Sequence, residues 1–218
     1  MKVGIIGAGR VGSTCALTAV VRAAPRAVIL VITDPPDPLA DIARTSAGHD
    51  RVLSTGTFLD SLRFRVHLAE HFDVDANQVE AQVIGEHGTS QVFLWSTARI
   101  AGLPIGALIE ERGETVDTVC QEIEKNVRYA NITIIEGNDA SQFGISIVAA
   151  RITEMVLRDE RAVIPIGSYN DRFGITLSLP SIVGRGGVVR TFEPEMSPEE
   201  QRALAFGAAN LRKSLDRS

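Results

Sequence analysis

The segment VGIIGAGRVGS near the start of the chain constrains the fold more than any other stretch. Val3 to Ile6 is a short apolar run suited to a buried parallel strand. Gly7, Gly9 and Gly12 follow at GxGxxG spacing, and Ser13 to Ala24 is an Ala/Val-rich stretch that reads as a helix, stopped near Pro25. Strand, glycine turn and helix in that order form the phosphate-binding corner of a doubly wound α/β sheet. The first glycine allows the tight turn, the second lets the backbone approach a pyrophosphate, and the third lets helix and strand pack closely. The free N–H groups of the helix N-terminus then face the phosphates. Gly7, Ala8, Gly9, Arg10, Val11 and Gly12 are therefore the candidate dinucleotide-binding residues. A purely structural glycine turn is the plain alternative, because the motif alone is short.

A second apolar, β-branched run, Val28 to Thr33, ends at Asp34. The glycine fingerprint expects an acid at the end of the next strand to bind a ribose, and Asp34 takes that place if this is that strand. Pro35, Pro36 and Pro38 make the turn that follows, with a short helix predicted from Pro38 to Arg44 and a loop over 45–57. Leu59 to Phe72 reads as an amphipathic helix and Val79 to Ile84 as a strand leading into GEHG.

The organisation then changes. Val116, Val119, Ile123, Val127, Ala130 and Ile134 recur in steps of three and four, which predicts a long helix over 115–135. Gly144 to Leu157 reads as a further helix. Ala162–Ser168, Ile175–Leu179 and Val188–Phe192 read as strands, the last two joined through GRGG, so an antiparallel sheet is expected. Ser197, Pro198 and Glu200 fit the N-cap, N1 and N3 positions of a capping box that starts the last helix. The expected fold class is thus α/β: a shortened Rossmann-like parallel sheet, then an α+β part with an antiparallel sheet. The division falls at 1–55 and 56–218.

Composition narrows the function classes. A net charge of −5 offers no general attraction to phosphate backbones, so nucleic acid is not the expected partner. The first apolar run is broken by glycines and Arg10, and no window holds the roughly 18 apolar residues of a spanning helix, so neither signal peptide nor membrane span is expected. Cys15 and Cys120 have no metal-type spacing and fit a reduced, cytoplasmic protein.

Three pieces line up with one another: TDPPD at 33–37, GTFLDSLRFR at 56–65 and VIGEHGTS at 83–90. Together with LPSIVGRGGVVRTFEPEMSPEE they resemble the L-lactate/malate dehydrogenase family, most closely its lactate dehydrogenase branch. The resemblance extends over nearly the whole chain, and GEHG with LDxxRFR is a specific combination. It implies an NAD-dependent oxidoreductase interconverting a 2-hydroxy acid and a 2-keto acid, with L-lactate/pyruvate ahead of malate/oxaloacetate, and with activity impaired by the absence of the family's active-site loop. His87 is then the proton donor and acceptor, Asp60 the carboxylate that holds it, and Arg63 the grip on the substrate carboxylate. Ser141 stands near a substrate-contacting threonine. The chemistry is coherent: hydride arriving at a ketone requires a proton at its oxygen, and histidine titrates near neutral pH. A neighbouring carboxylate favours the charged imidazole, and a guanidinium matches a carboxylate bidentately. The resemblance also implies a homo-oligomer of two or four chains.

Between Gly12 and Thr33 there is room for only one helix and one strand, where the family places a ribose-binding strand, further elements and a mobile arginine-bearing loop. By resemblance, VILVIT is a later strand and TDPPD the turn after it, with Asp34 where asparagine is usual. Asp34 is left with two candidate positions, at the ribose or near the nicotinamide. A catalytically inactive remnant that binds nucleotide or oligomerises is the alternative function. Arg65 matches a bisphosphate-binding arginine of the family, whereas Glu80 replaces a histidine and would repel phosphates. HLAEH at 67–71 matches a zinc-protease signature through His67, Glu70 and His71, a remote alternative; no metal is expected.

Overall fold

The structure, a computed structural model, describes residues 22–138 and 142–215. The described chain begins with β1 (Ile29–Val31), α1 (Pro36–Ala47), β2 (Val52–Ser54) and α2 (Phe58–Phe72). Five two-residue strands follow: β3 (Val79–Glu80), β4 (Val83–Ile84), β5 (Val92–Phe93), β6 (Arg99–Ile100) and β7 (Leu103–Pro104). After α3 (Ile105–Glu111), α4 (Val116–Asn138) and α5 (Gln142–Arg158) come three longer strands, β8 (Ala162–Asn170), β9 (Ile175–Gly184) and β10 (Gly187–Thr191), and then α6 (Pro198–Leu215).

The expected parallel and antiparallel parts are both present, joined in one five-stranded sheet of order β1-β2-β8-β9-β10. β1 and β2 are parallel, with Leu30 opposite Leu53. β2 meets β8 through a single antiparallel pair, Ser54 with Gly167. β8 and β9 form a long hairpin, and β9 continues into β10 through the glycine turn. Gly167 has no room for a side chain: a Cβ there would collide with Ser54 Oγ and lie 2.6 Å from Asp37 Oδ1. The two sheet parts can approach each other because that position is glycine.

Helices cover the sheet with separate apolar clusters. Val148, Ile152 and Met155 of α5 bury against Leu53, Ile164, Ile166 and Val183. Leu204, Ala208 and Leu211 of α6 bury against Ile175, Leu177 and Leu179. A third cluster joins α2, α3 and α4 through Phe64, Leu68, Ile105, Ile109, Val119, Ile123 and Val127. The periodic positions Val119, Ile123 and Val127 of α4 are buried, as its spacing predicts.

Three local expectations are corrected. The segment 45–57 is not a loop throughout: α1 runs on to Ala47, and β2 occupies Val52–Ser54. Three residues are too few to show a period, and the burial of Val52, Leu53 and Ser54 is imposed by the strands on either side. Val79–Ile84 is two strands rather than one, because β3 pairs with β6 and β4 with β5. α1 begins at Pro36, two residues before the predicted start. Proline is tolerated in a first turn, where its missing N–H has no partner to lose. The capping box of α6 forms: Glu200 N–H donates to Ser197 Oγ at 3.2 Å, and Ser197 N–H donates to Glu200 Oε2 at 2.7 Å. Among the described residues no helix is long and apolar enough to cross a membrane.

Candidate active site

The site is assembled by bolting α2 to β4. Thr57, at the start of α2, donates its hydroxyl to the Val83 carbonyl at 2.5 Å, while Ser61 Oγ accepts the Val83 N–H at 2.9 Å. Thr57 N–H donates to Ser178 Oγ of β9 at 3.0 Å. β4 then runs into the GEHG loop, where Gly85 and Ser178 exchange two backbone hydrogen bonds of 2.8 Å. Gly85 has φ +87°, a left-handed conformation open to glycine without strain, and this turn sends His87 back toward α2.

His87 Nδ1 lies 2.7 Å from Asp60 Oδ2, and Arg63 Nη1 lies 3.5 Å from Asp60 Oδ1. Asp60 and Arg63 are one helical turn apart, so the helix presents both on one face. Asp60 is only 2% exposed. Burial of His87 opposes its charge and is the largest single influence, but the hydrogen bond and charge of Asp60, with help from Asp34 and Asp37, outweigh it. The imidazole is held above its ordinary value. Burial also weighs against the Arg63 charge and lowers its pKa, with Asp60 partly restoring it.

Asp34 lines the same cleft as His87, with Ile32, Pro36, Thr55, Gly56, Leu59 and Ile145; its volume is about 140 Å³. Asp34 thus follows β1 on the His87 side of the sheet. The candidate residues Gly7, Ala8, Gly9, Arg10, Val11, Gly12 and Ser141 lie outside the described residues.

Asp37 lies within TDPPD, and nothing in the sequence assigns it a role. Asp37 is fully buried in the first turn of α1, accepts a 2.5 Å bond from Ser54 Oγ, and accepts the backbone N–H of His87 at 2.9 Å. An acid in a helix first turn is ordinarily explained by the helix dipole, so nothing in its spacing marked it out.

The zinc-type pattern does not gather. His67 faces Glu70 at 3.5 Å, His71 faces Glu114 at 2.6 Å, and no group of three metal-ligating side chains occurs among the described residues. Arg65 donates to the Ala81 carbonyl at 2.9 Å, and the charge of Glu80 acts on it. Burial pushes the Cys120 thiol up to about 12, so it is no nucleophile at neutral pH.

A buried carboxylate, a half-buried imidazole and a guanidinium thus stand together, with His87 on the cleft, an arrangement that can hold and exchange a proton. The family model for the lactate/malate dehydrogenase α/β C-terminal domain matches residues 57–218. An L-lactate dehydrogenase of Deinococcus radiodurans is 42% identical over 194 residues, covering 88% of this chain and 64% of the relative. One from Thermus aquaticus is 37% identical over 200 residues, with the same coverages of 88% and 64%. The structure is similar to a ligand-bound crystal structure of the minor L-lactate dehydrogenase of Enterococcus mundtii. The TM-score is 0.86 at 27% identity, covering 99% of this chain and 73% of that one. The chain belongs to the lactate/malate dehydrogenase family. It spans just under two thirds of the length of the first two relatives.

Proposed function

We propose that the chain is an NAD-dependent 2-hydroxy acid dehydrogenase, with L-lactate/pyruvate as the first substrate pair and malate/oxaloacetate as the second. The reading divides the chain into a shortened nucleotide-binding part, 1–55, and a substrate part, 56–218. It places the protein in the cytoplasm as an oligomer of two or four chains. The observation that carries it is the 2.7 Å Asp60–His87 pair on the cleft.

His87 acts as the acid and base. With Nδ1 engaged by Asp60, Nε2 is the atom that exchanges a proton with the substrate oxygen. Asp60 orients the ring and stabilises the imidazolium. Arg63 binds the substrate carboxylate, for which its planar fork is matched. Ser141 supplies a hydroxyl to the substrate. In the keto-acid direction His87 gives its proton to the developing alkoxide; in the hydroxy-acid direction it removes that proton. A positioned acid–base group of this kind contributes roughly 10²–10⁴ in rate.

The cleft suits the reactive end of the cofactor: Ile32, Leu59 and Ile145 offer an apolar lining for a flat heteroaromatic ring, and Thr55 and Asp34 offer polar atoms for a carboxamide. Gly7, Ala8, Gly9, Arg10, Val11 and Gly12 would hold its phosphates by their backbone. NAD, when bound, supplies the hydride acceptor or donor.

A second reading is a family member that binds nucleotide without turnover. The specific observation favouring it is the lining itself: among the described residues the cleft carries no cation besides His87, and Asp34 adds a carboxylate where an anionic substrate would sit. Titrating NADH into the purified chain, then adding pyruvate or oxaloacetate and following nicotinamide absorbance, separates the two. Binding with turnover supports the dehydrogenase. Binding without turnover supports the second reading, and no binding at millimolar NADH sinks both.

A further inference from the structure

We propose that Asp37 is a positioning residue that sets where His87 stands, by clamping its backbone N–H while Asp60 clamps its ring. The proposal rests on the acid–base reading of His87 for its catalytic meaning, though not for its geometry.

His87 sits on a loop, and a loop side chain is only as well placed as the backbone that carries it. Asp60 can orient the imidazole about its own bonds, but it cannot stop the loop from sliding. Gly85 is held by β9 through Ser178, and two residues later the His87 N–H is held by Asp37 Oδ2 at 2.9 Å. The other carboxylate oxygen of Asp37 accepts the Ser54 hydroxyl at 2.5 Å. Ser54 ends β2 and pairs with Gly167 of β8, so the clamp is anchored in the centre of the five-stranded sheet. A Cβ on Gly167 would intrude on both Ser54 and Asp37, so the sheet makes room for this pair. The geometry runs from sheet to Ser54, to Asp37, to the backbone of His87.

The electrostatics support the same reading. Asp37 is fully buried, and burial is the largest influence on it, raising its pKa to about 6 against the hydrogen bonds from Ser54 and His87 and the charge of His87. Glu86 raises it further. His87 and Glu86, both on the loop, are the titratable groups that act on Asp37; β2 and β8 face it with Ser54 and Gly167. At neutral pH the chain thus keeps a carboxylate ionised in its core, at a cost to stability. The sign follows from linkage. A carboxyl whose folded pKa exceeds its unfolded value binds more protons in the folded state, so stability falls as pH rises from about 4 to about 6 and stays lower above. This sign is compatible with a carboxylate kept to place a catalytic group.

The test uses the full chain with Asp37→Ala, Asp37→Asn and Ser54→Ala. Three readouts are taken: hydrogen exchange of the 85–90 backbone, the NMR titration of the His87 ring, and NADH-dependent pyruvate reduction. Asp37→Ala is expected to lose protection at the His87 amide and to cut turnover by about 10²-fold, the penalty of a misplacement of about 1 Å. Asp37→Asn keeps an acceptor for the amide, so protection and most of the turnover return, while the His87 titration moves down and thermal stability at pH 7.5 rises. Ser54→Ala gives a smaller loss of protection in the same segment. An Asp37→Ala protein in which the His87 amide and ring behave as in the parent overturns the proposal. If that variant fails to fold, a Ser54→Ala protein with unchanged protection over 85–90 does so instead. A parent chain without turnover would refute the dehydrogenase reading, and an active His87→Ala variant the acid–base role of His87, each leaving the clamp standing because the exchange readout does not depend on it.

Discussion

The two sides of the cleft are built to different standards. On the α2 side Asp60 is 2% exposed, Thr57 and Ser61 are bonded to β4, and the His87 loop is laddered to β9. On the β1 side the strand is three residues long, and Ile32 and Asp34 beyond it are exposed. The side that carries the Asp60–His87 pair is preorganised by the core of the molecule. The β1 side is thinly supported among the described residues. The contrast teaches where mutations should act: on the α2 side they should alter chemistry, the carboxylate grip and stability, and on the β1 side they should alter affinity at little cost to stability.

The largest expected effect tests the buried side. His87→Ala should lower pyruvate reduction by roughly 10²–10⁴-fold, the usual contribution of a placed acid–base group, with NADH binding by fluorescence titration nearly unchanged. Retained turnover would show that the proton comes from elsewhere. Stability should divide the same way. Phe64 is 0% exposed and packs edge-on against Phe93 and Trp95, so Phe64→Ala should destabilise by about 3–5 kcal/mol in a urea titration. Ile32 is 45% exposed, and Ile32→Ala should stay within about 0.5 kcal/mol. Equal losses at the two positions would remove the contrast.

How much of this is legible in the sequence follows from the range of each signal. The spacing of Val119, Ile123 and Val127 gives a helix and its buried face, and Ser197 with Glu200 gives the start of α6, because both signals are local. The pieces holding Asp60, Arg63 and His87 are legible as motifs, but no spacing rule brings residue 60 to residue 87. That approach is made by Thr57 and Ser61 reaching Val83. β2 and the Asp37 clamp are not legible: each depends on partners far along the chain, Gly167 for the strand and His87 for the carboxylate.

The pH profile gives the next effect. With the imidazole held above its ordinary value, the protonated form persists to higher pH than in a free histidine. Pyruvate reduction, which needs that form, should therefore fall as pH rises through the His87 pKa, while lactate oxidation should rise. Asp60→Asn removes the main raising influence and should move both limbs to lower pH; a profile unmoved by Asp60→Asn would separate the acid–base group from this pair. Arg63→Lys should weaken binding of a keto-acid analogue by about 10–100-fold. A lysine keeps the charge but loses the paired fork, and a hydrogen bond to a charged group contributes about 1.5–3 kcal/mol. Isothermal titration with oxamate measures it, and unchanged affinity would place the carboxylate grip elsewhere.

The smallest effect tests the exposed side directly. Asp34 shares the cleft with His87 and raises its pKa, so its carboxylate acts on whatever charge stands there. Two opposed consequences follow from Asp34→Asn. Removing the carboxylate lowers the His87 pKa, which disfavours reduction at higher pH, and it also removes repulsion of an anionic substrate. Below the pKa of His87 only the second matters, so the KM for pyruvate should fall there. Two charges about 4 Å apart in water interact by about 1 kcal/mol, which corresponds to roughly fivefold at most. Salt should erase the difference, because an exposed pair is screened over about 10 Å at 0.1 M ionic strength, whereas the His87→Ala loss on the buried side should survive it. A KM that does not change with Asp34→Asn at low salt would show that the substrate stands clear of this wall, and the exposed side would then serve the nicotinamide alone.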